Sequence, residues 1–199
     1  KGRRAAAALR ASATNAIARR RASGETRNDL LGLLLAARDP ETGRGFSDVE
    51  LCDNVVTFIG AGHETTALTL AFTLYLIANT PDVQERLFRE VRDVCGDKLI
   101  DAAIVEDLVY HEQVIKESMR LYPPVSLIDR VATQDIDLDD VQVKKGDFAF
   151  NLIYVMHRHQ TLWESPSRFD PERFSPENAK RIHRFQYMPF GAGPRICIG

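Results

Sequence analysis

Phe190-Gly191-Ala192-Gly193-Pro194-Arg195-Ile196-Cys197-Ile198-Gly199 sets one cysteine among three glycines and one arginine. Glycine takes positive φ at little cost and lets the backbone approach another body closely. Arg195, two positions before Cys197, points to an anion beside the sulfur. Together these residues describe a thiolate that meets something large and flat with negative charge at its edges. Two other readings stay open on this stretch alone: a buried structural cysteine, or a nucleophilic thiol with His183 as its base.

The rest of the chain narrows the classes. Its 199 residues are enough for one domain with a substantial core. Hydrophobic residues make up 44% and charged residues 27%, and the net charge is −2, so nothing in the bulk favours nucleic acid or an acidic membrane surface. Cys52, Cys95 and Cys197 lie far apart with no CxxC pair. That pattern speaks against a disulfide scaffold, a zinc ribbon and a covalently attached haem. A reducing, cytoplasmic compartment is expected, with no signal or anchor visible. The uncharged run Thr65 to Pro81 is too short for a comfortable membrane span. A start at Lys1 and an end inside the glycine-rich loop read as a fragment cut at both ends. The eight basic residues within 1–27 read as a solvated helix rather than a transit peptide.

Helix signals dominate the first 124 residues. One helix is expected over 5–21, broken at Ser23-Gly24, and a short apolar one over Asp29 to Arg38. Ser47-Asp48-Val49-Glu50 is a capping box. The helix it opens meets no stop before Asn79-Thr80-Pro81, which makes it roughly 50 Å long and apolar enough to cross the middle of its domain. Pro81 suits the first position of the next helix, which runs to Val94 before Gly96. Another covers about Val105 to Leu121, stopped by Pro123-Pro124. Then the period shortens. Val131, Ile136, Leu138, Val141 and Val143 suggest short strands, Lys144 to Asp147 a turn, and Phe148 to Val155 a further strand. From His157 to Phe190 the chain reads as irregular, and loops of that length are commonly functional.

Three further constellations could carry chemistry. Ala61-Gly62-His63-Glu64-Thr65-Thr66 lies inside the long helix, just after Gly60. Glycine in a helix costs about 1 kcal/mol relative to alanine, so a flat or distorted patch against a ligand is one reason for it. A helix crossing is the other. Glu64 beside Thr65 is a carboxylate–hydroxyl pair suited to relaying protons. It could equally be a surface glutamate next to a back-bonded threonine. Glu117 and Arg120 share a helix face at ion-pair reach, where an exposed pair would be worth little. Arg173, in Pro171-Glu172-Arg173-Phe174, could join them, since a glutamate between two arginines makes burial tolerable.

Taken in order, AGHETT at 61–66, ExxR at 117–120, PERF at 171–174 and FxxGxRxCxG at 190–199 closely resemble the cytochromes P-450, the haem-thiolate monooxygenases. Tyr122-Pro123-Pro124 and His157-Arg158 ahead of Trp163 add to the likeness, which covers about residues 25 to 199. The resemblance implies a mainly α fold with a small β-sheet, present in part: the long central helix, the ExxR helix and the cysteine loop. It implies one partial domain over 1–199, helical over 1–124, sheet over 125–157 and loop over 158–199.

The same resemblance assigns roles. Cys197 matches the axial ligand of haem b iron. Arg195 and Arg130 match haem propionate contacts. Phe190 matches the aromatic residue at the proximal face, and Gly191 and Gly199 belong to the same cofactor loop. Ala61 and Gly62 match the stretch over the haem, and Glu64 and Thr65 the pair that delivers protons there. His63 is not expected to bind iron. Glu117, Arg120 and Arg173 match a structural triad. Val125, Ser126, Leu127 and Ile128 match a substrate-lining segment, and its apolar character implies an apolar substrate. His159 departs from the acid that many relatives carry after His-Arg.

The activity implied is insertion of one atom of O2 into an organic substrate. Electrons would come from NAD(P)H through a ferredoxin or flavoprotein reductase, separate or fused, docking near the Cys197 face where Arg181, Arg184 and Arg195 could offer positive charge. The fragment alone is expected to hold haem weakly and to be inactive. A reductase-independent haem-thiolate peroxygenase or isomerase, and a non-catalytic helical interaction module, are the alternatives.

Overall fold

Local signals place the helix ends. In the computed structural model, which describes residues 2–198, the Ser47 hydroxyl accepts from the Glu50 N–H at 3.3 Å and the Glu50 carboxylate accepts from the Ser47 N–H at 2.8 Å. This capping box opens α3 (Asp48–Ala78), an unbroken helix of 31 residues. It is preceded by α1 (Gly2–Ser23) and α2 (Leu30–Ala36). Asp29 caps α2 by accepting from the Gly32 N–H at 2.8 Å. The Arg20 guanidinium, bound to the same carboxylate, brings the Asp29 pKa down to about 2.

The described chain divides into two compact units, one ending at Glu64 and one beginning at Thr65. In the first, Ala13 and Ile17 stand four apart on α1 and bury against Leu51 and Cys52 of α3. Leu31, Leu34 and Leu35 of α2 pack on the same cluster. Farther along α3 no side chain between Asp53 and Phe72 is fully buried, and Ile59 and Leu70 are exposed. The described residues leave that apolar length uncovered.

The second unit holds the remainder of α3, then α4 (Pro81–Cys95), α5 (Ala102–Glu106) and α6 (Val109–Leu121). Val83 and Leu87 of α4 pack on Tyr110 and Val114 of α6, with Phe169 against them. One helix was expected from Val105 to Leu121, but the chain breaks at Asp107-Leu108. Leu108 turns into the interior, and Glu90 of α4 accepts the N–H groups of Tyr110 and His111 at 2.7 and 3.0 Å. A carboxylate there satisfies orphan donors and complements the positive end of the helix dipole.

Four short strands form two antiparallel pairs: β1 (Ile128–Val131) with β4 (Phe148–Asn151), and β2 (Ile136–Leu138) with β3 (Val141–Val143). The strand expected over 148–155 ends at Asn151, where α7 (Ile153–Met156) begins. One helical turn drives Ile153 and His157, four apart and both fully buried, into the interior. An extended chain would have sent successive side chains to opposite faces. From there to Phe190 the chain is irregular apart from 3-10 turns at Pro171–Phe174 and Ala179–Arg181, and a third, Gly193–Arg195, precedes Cys197. Among the described residues no helix is long and apolar enough to cross a membrane.

Candidate functional site

Cys197 ends a loop whose shape follows from its residues. Pro189 presets the second position of a turn, and the Gly191 N–H closes it onto the Met188 carbonyl at 3.1 Å. Gly191 has φ +74° and Gly193 φ +78°, where any other residue would be strained. A side chain at Gly191 would also press on Ile128 Cδ1, 3.3 Å from the first carbon it would add. The Cys197 N–H then reaches back to the Phe190 carbonyl at 2.9 Å. The thiol is left exposed, with exposed Phe190, Ile196 and Ile198 near it in sequence.

Ile128 carries the loop to the β1–β4 pair. A cavity of about 290 Å³ is lined by Ile128, Arg130, Ala149, Phe150, Asn151 and Ala192. Arg130 is exposed, and its guanidinium donates to the Asp129 carbonyl at 2.7 Å. Arg195 is exposed as well. Neither arginine has a carboxylate at ion-pair distance among the described residues. Haem fits such a set: an exposed sulfur, apolar neighbours, and arginines whose charge is available to propionates. Among the described residues no three His, Cys, Asp or Glu side chains gather as a metal-binding group. One sulfur suits a metal whose other ligands come from a macrocycle. Gly199 lies outside the described residues.

Glu117, Arg120 and Arg173 come together in the second unit. Arg120 is fully buried and donates through Nε to Glu117 Oε2 at 2.7 Å and through Nη2 to Oε1 at 2.8 Å. Its other donors meet the carbonyls of His157, Pro166 and Arg168 at 2.7, 2.8 and 3.1 Å. Glu117 also accepts the Asp170 N–H at 2.9 Å, and Arg173 Nε stands 3.4 Å away as an ion pair without hydrogen-bond alignment. Burial pushes the Glu117 carboxyl above its ordinary range, against the pull of Arg120 and Arg173. The pair is therefore no exposed surface contact. The loop 157–173 covers it.

Ala61, Gly62 and Glu64 belong to the first unit and are exposed, and Thr65 is half-buried. The helix is unbroken through them, so the glycines mark open backbone surface rather than a distortion. The Thr65 carbonyl accepts from the Thr69 hydroxyl at 3.0 Å. Val125 and Leu127 are exposed, Ile128 is half-buried, and the Ser126 carbonyl accepts from the Tyr154 N–H at 3.1 Å.

Sequence reasoning missed His157 as more than part of a familiar stretch. It is fully buried, and its Nε2 accepts from the Met188 N–H at 2.9 Å. Burial brings its pKa down to about 4, and the charges of Arg120 and Arg158 push the same way. An unfolded histidine titrates near 6.5. Stability from this group is thus complete above pH 6.5 and lost as pH falls towards 4. The loss is expected to be roughly 3 kcal/mol, smaller in His157→Gln, and visible as a denaturant midpoint that falls between pH 7 and pH 4.5. A midpoint equally pH-dependent in both proteins would contradict it.

The sequence model of the family described as Cytochrome P450 matches residues 1–199. Among curated proteins, cyclooctat-9-en-7-ol 5-monooxygenase of Streptomyces melanosporofaciens is 40% identical over 196 residues, covering 98% of this chain and 43% of that protein. Cytochrome P450 4V2 of Homo sapiens is 42% identical over 180 residues, covering 89% and 34%. The solved cytochrome P450DA heme domain superposes with a TM-score of 0.89 at 36% identity, over 97% of this chain and 43% of that one. Retinoic acid-bound cyanobacterial CYP120A1 superposes with a TM-score of 0.91 at 33% identity, over 99% and 45%. The chain spans less than half the length of these relatives.

Proposed function

The chain belongs to the cytochrome P450 family, and on that premise we propose that it is the thiolate-bearing part of a haem b monooxygenase acting on an apolar organic substrate. The observation that carries this reading is the loop from Met188 to Cys197, which exposes Cys197 together with Phe190 and Ile196. When bound, the haem supplies O2 activation, favoured by electron density from a thiolate ligand.

The chain's own residues do the rest. Cys197 is the sulfur ligand, and the glycine-rich turn lets the backbone come close to the cofactor. Arg195 and Arg130 would hold the propionates through charge-assisted hydrogen bonds, with Phe190 and Gly191 on the same loop as Arg195. Ala61 and Gly62 would offer bare backbone surface to the cofactor. Glu64 and Thr65 would relay protons through their carboxylate–hydroxyl pair. Val125 to Ile128 line the substrate, and Glu117, Arg120 and Arg173 brace the loops. Two electrons arrive from NAD(P)H through a ferredoxin or flavoprotein reductase. Exposed Arg181 and Arg184 dock it, and reversing both charges is expected to slow electron transfer severalfold in stopped-flow reduction. Because the relatives are more than twice as long, the 199 residues alone are proposed to be inactive.

The direct test is to supply reductant, NAD(P)H and isotopically labelled O2 to the complete, haem-loaded protein that contains these 199 residues. One labelled oxygen atom should enter the product and the other should leave as water. Product formed without O2 or NAD(P)H would overturn the monooxygenase reading. Thr65→Ala is expected to lower product per NAD(P)H by at least about tenfold, with hydrogen peroxide taking up the difference. Unchanged coupling would remove Thr65 from proton delivery.

A further inference from the structure

Met188 is buried, in an irregular stretch just before Pro189. Proline biases its predecessor to an extended conformation and has no N–H of its own. The Met188 N–H needs an acceptor. It finds one in a side chain 31 residues away, His157 Nε2, at 2.9 Å.

His157 is itself held on several sides. Its N–H donates to the Ile153 carbonyl at 2.9 Å, and its carbonyl accepts from Arg120 Nη1 at 2.7 Å. Its ring stacks on Tyr187 with centroids 5.2 Å apart, and the Tyr187 hydroxyl donates to the Lys116 carbonyl of α6 at 2.9 Å. Beyond Met188 the bonds continue through the turn: Gly191 N–H to the Met188 carbonyl, then Cys197 N–H to the Phe190 carbonyl. The buried Glu117–Arg120 pair is thereby tied to the sulfur loop through His157, its carbonyl on Arg120 and its ring on Met188. Accepting at Nε2 requires a neutral ring with its proton on Nδ1. Burial, which disfavours the charged form, keeps it neutral.

We propose that His157 is the positioning residue of the Cys197 loop: its Nδ1-protonated imidazole fixes the Met188 amide and, through the 188–191 turn, sets where the sulfur stands. This rests on Cys197 being the haem ligand.

The test compares two variants of the haem-loaded protein. His157→Phe keeps the bulk and the stack on Tyr187 but has no acceptor. His157→Gln can place an amide oxygen near the position of Nε2. In His157→Phe the Met188 amide should exchange with solvent roughly ten- to hundredfold faster, and the reduced carbon-monoxide spectrum should show a lost fraction of thiolate ligation. His157→Gln should restore both, and nitrogen shifts of the wild-type ring should report the Nδ1–H tautomer. Unchanged Met188 exchange in His157→Phe, thiolate ligation unaffected by it, or a glutamine variant no better than phenylalanine would each overturn the proposal. Failure of the ligand assignment would show elsewhere, as a thiolate spectrum that survives Cys197→Ala, which the Met188 exchange rates do not report.

Discussion

Cys197→Ala in the complete, haem-loaded protein is expected to abolish the thiolate signature of the reduced carbon-monoxide spectrum. The other two cysteines, Cys52 and Cys95, are buried, whereas Cys197 is exposed at the end of its loop. Cys52 packs among Ala13, Ile17 and Leu51 in the first unit, and Cys95 ends α4. Cys52→Ala and Cys95→Ala should therefore keep the signature. The alanine variant keeps the N–H of residue 197 that bonds the Phe190 carbonyl, so that backbone bond should survive. A thiolate spectrum in Cys197→Ala would refute the ligand assignment.

Arg120→Ala is expected to cost about 3–5 kcal/mol of stability, the scale for removing one partner of a buried ion pair. Total stabilities of about 5–15 kcal/mol make that a large fraction. Arg120 gives up bonds to both oxygens of Glu117 and to the carbonyls of His157, Pro166 and Arg168. Glu117 Oε2 and the His157 carbonyl, both in fully buried residues, would lose this donor, while Glu117 Oε1 keeps the Asp170 N–H. Lysine should not rescue, because a point charge with three donors cannot reproduce the planar fork. Glu117→Gln should be milder, since it leaves hydrogen-bonding oxygen and nitrogen atoms in place of the carboxylate. Urea unfolding measures all three, and an Arg120→Ala loss below about 1 kcal/mol, the scale of an exposed pair, would contradict the argument.

The same pair marks how far reading from residue order reaches. Spacing placed Glu117 and Arg120 on one helix face, because helix periodicity is local. Spacing alone favoured an exposed pair, because burial depends on a loop that begins 37 residues after Arg120 and folds back over it. The capping box at Ser47 and the start at Pro81 were readable for the same local reason. The break before Val109 was not, since its cause is Glu90, on another helix. Nor was the turn at Ile153, where Phe148 to Val155 carried strand-like residues and interior packing chose one helical turn instead. The Gly60–Gly62 stretch left a flat patch, a distorted one and a helix crossing open, and the helix passes through it unbroken with open space beside both glycines.

By itself the sequence determined the family, the order of the helices, and Cys197 as the residue to explain. Those rest on local chemistry: glycine's freedom at positive φ, proline's missing donor, the 3.6-residue period, and ordered motifs. Tertiary structure alone decided that Glu117 and Arg120 are buried with every guanidinium donor engaged, and that the Met188 amide rests on His157. Both depend on which distant segments exclude water, and exclusion of water is what turns a weak surface contact into one the fold cannot lose.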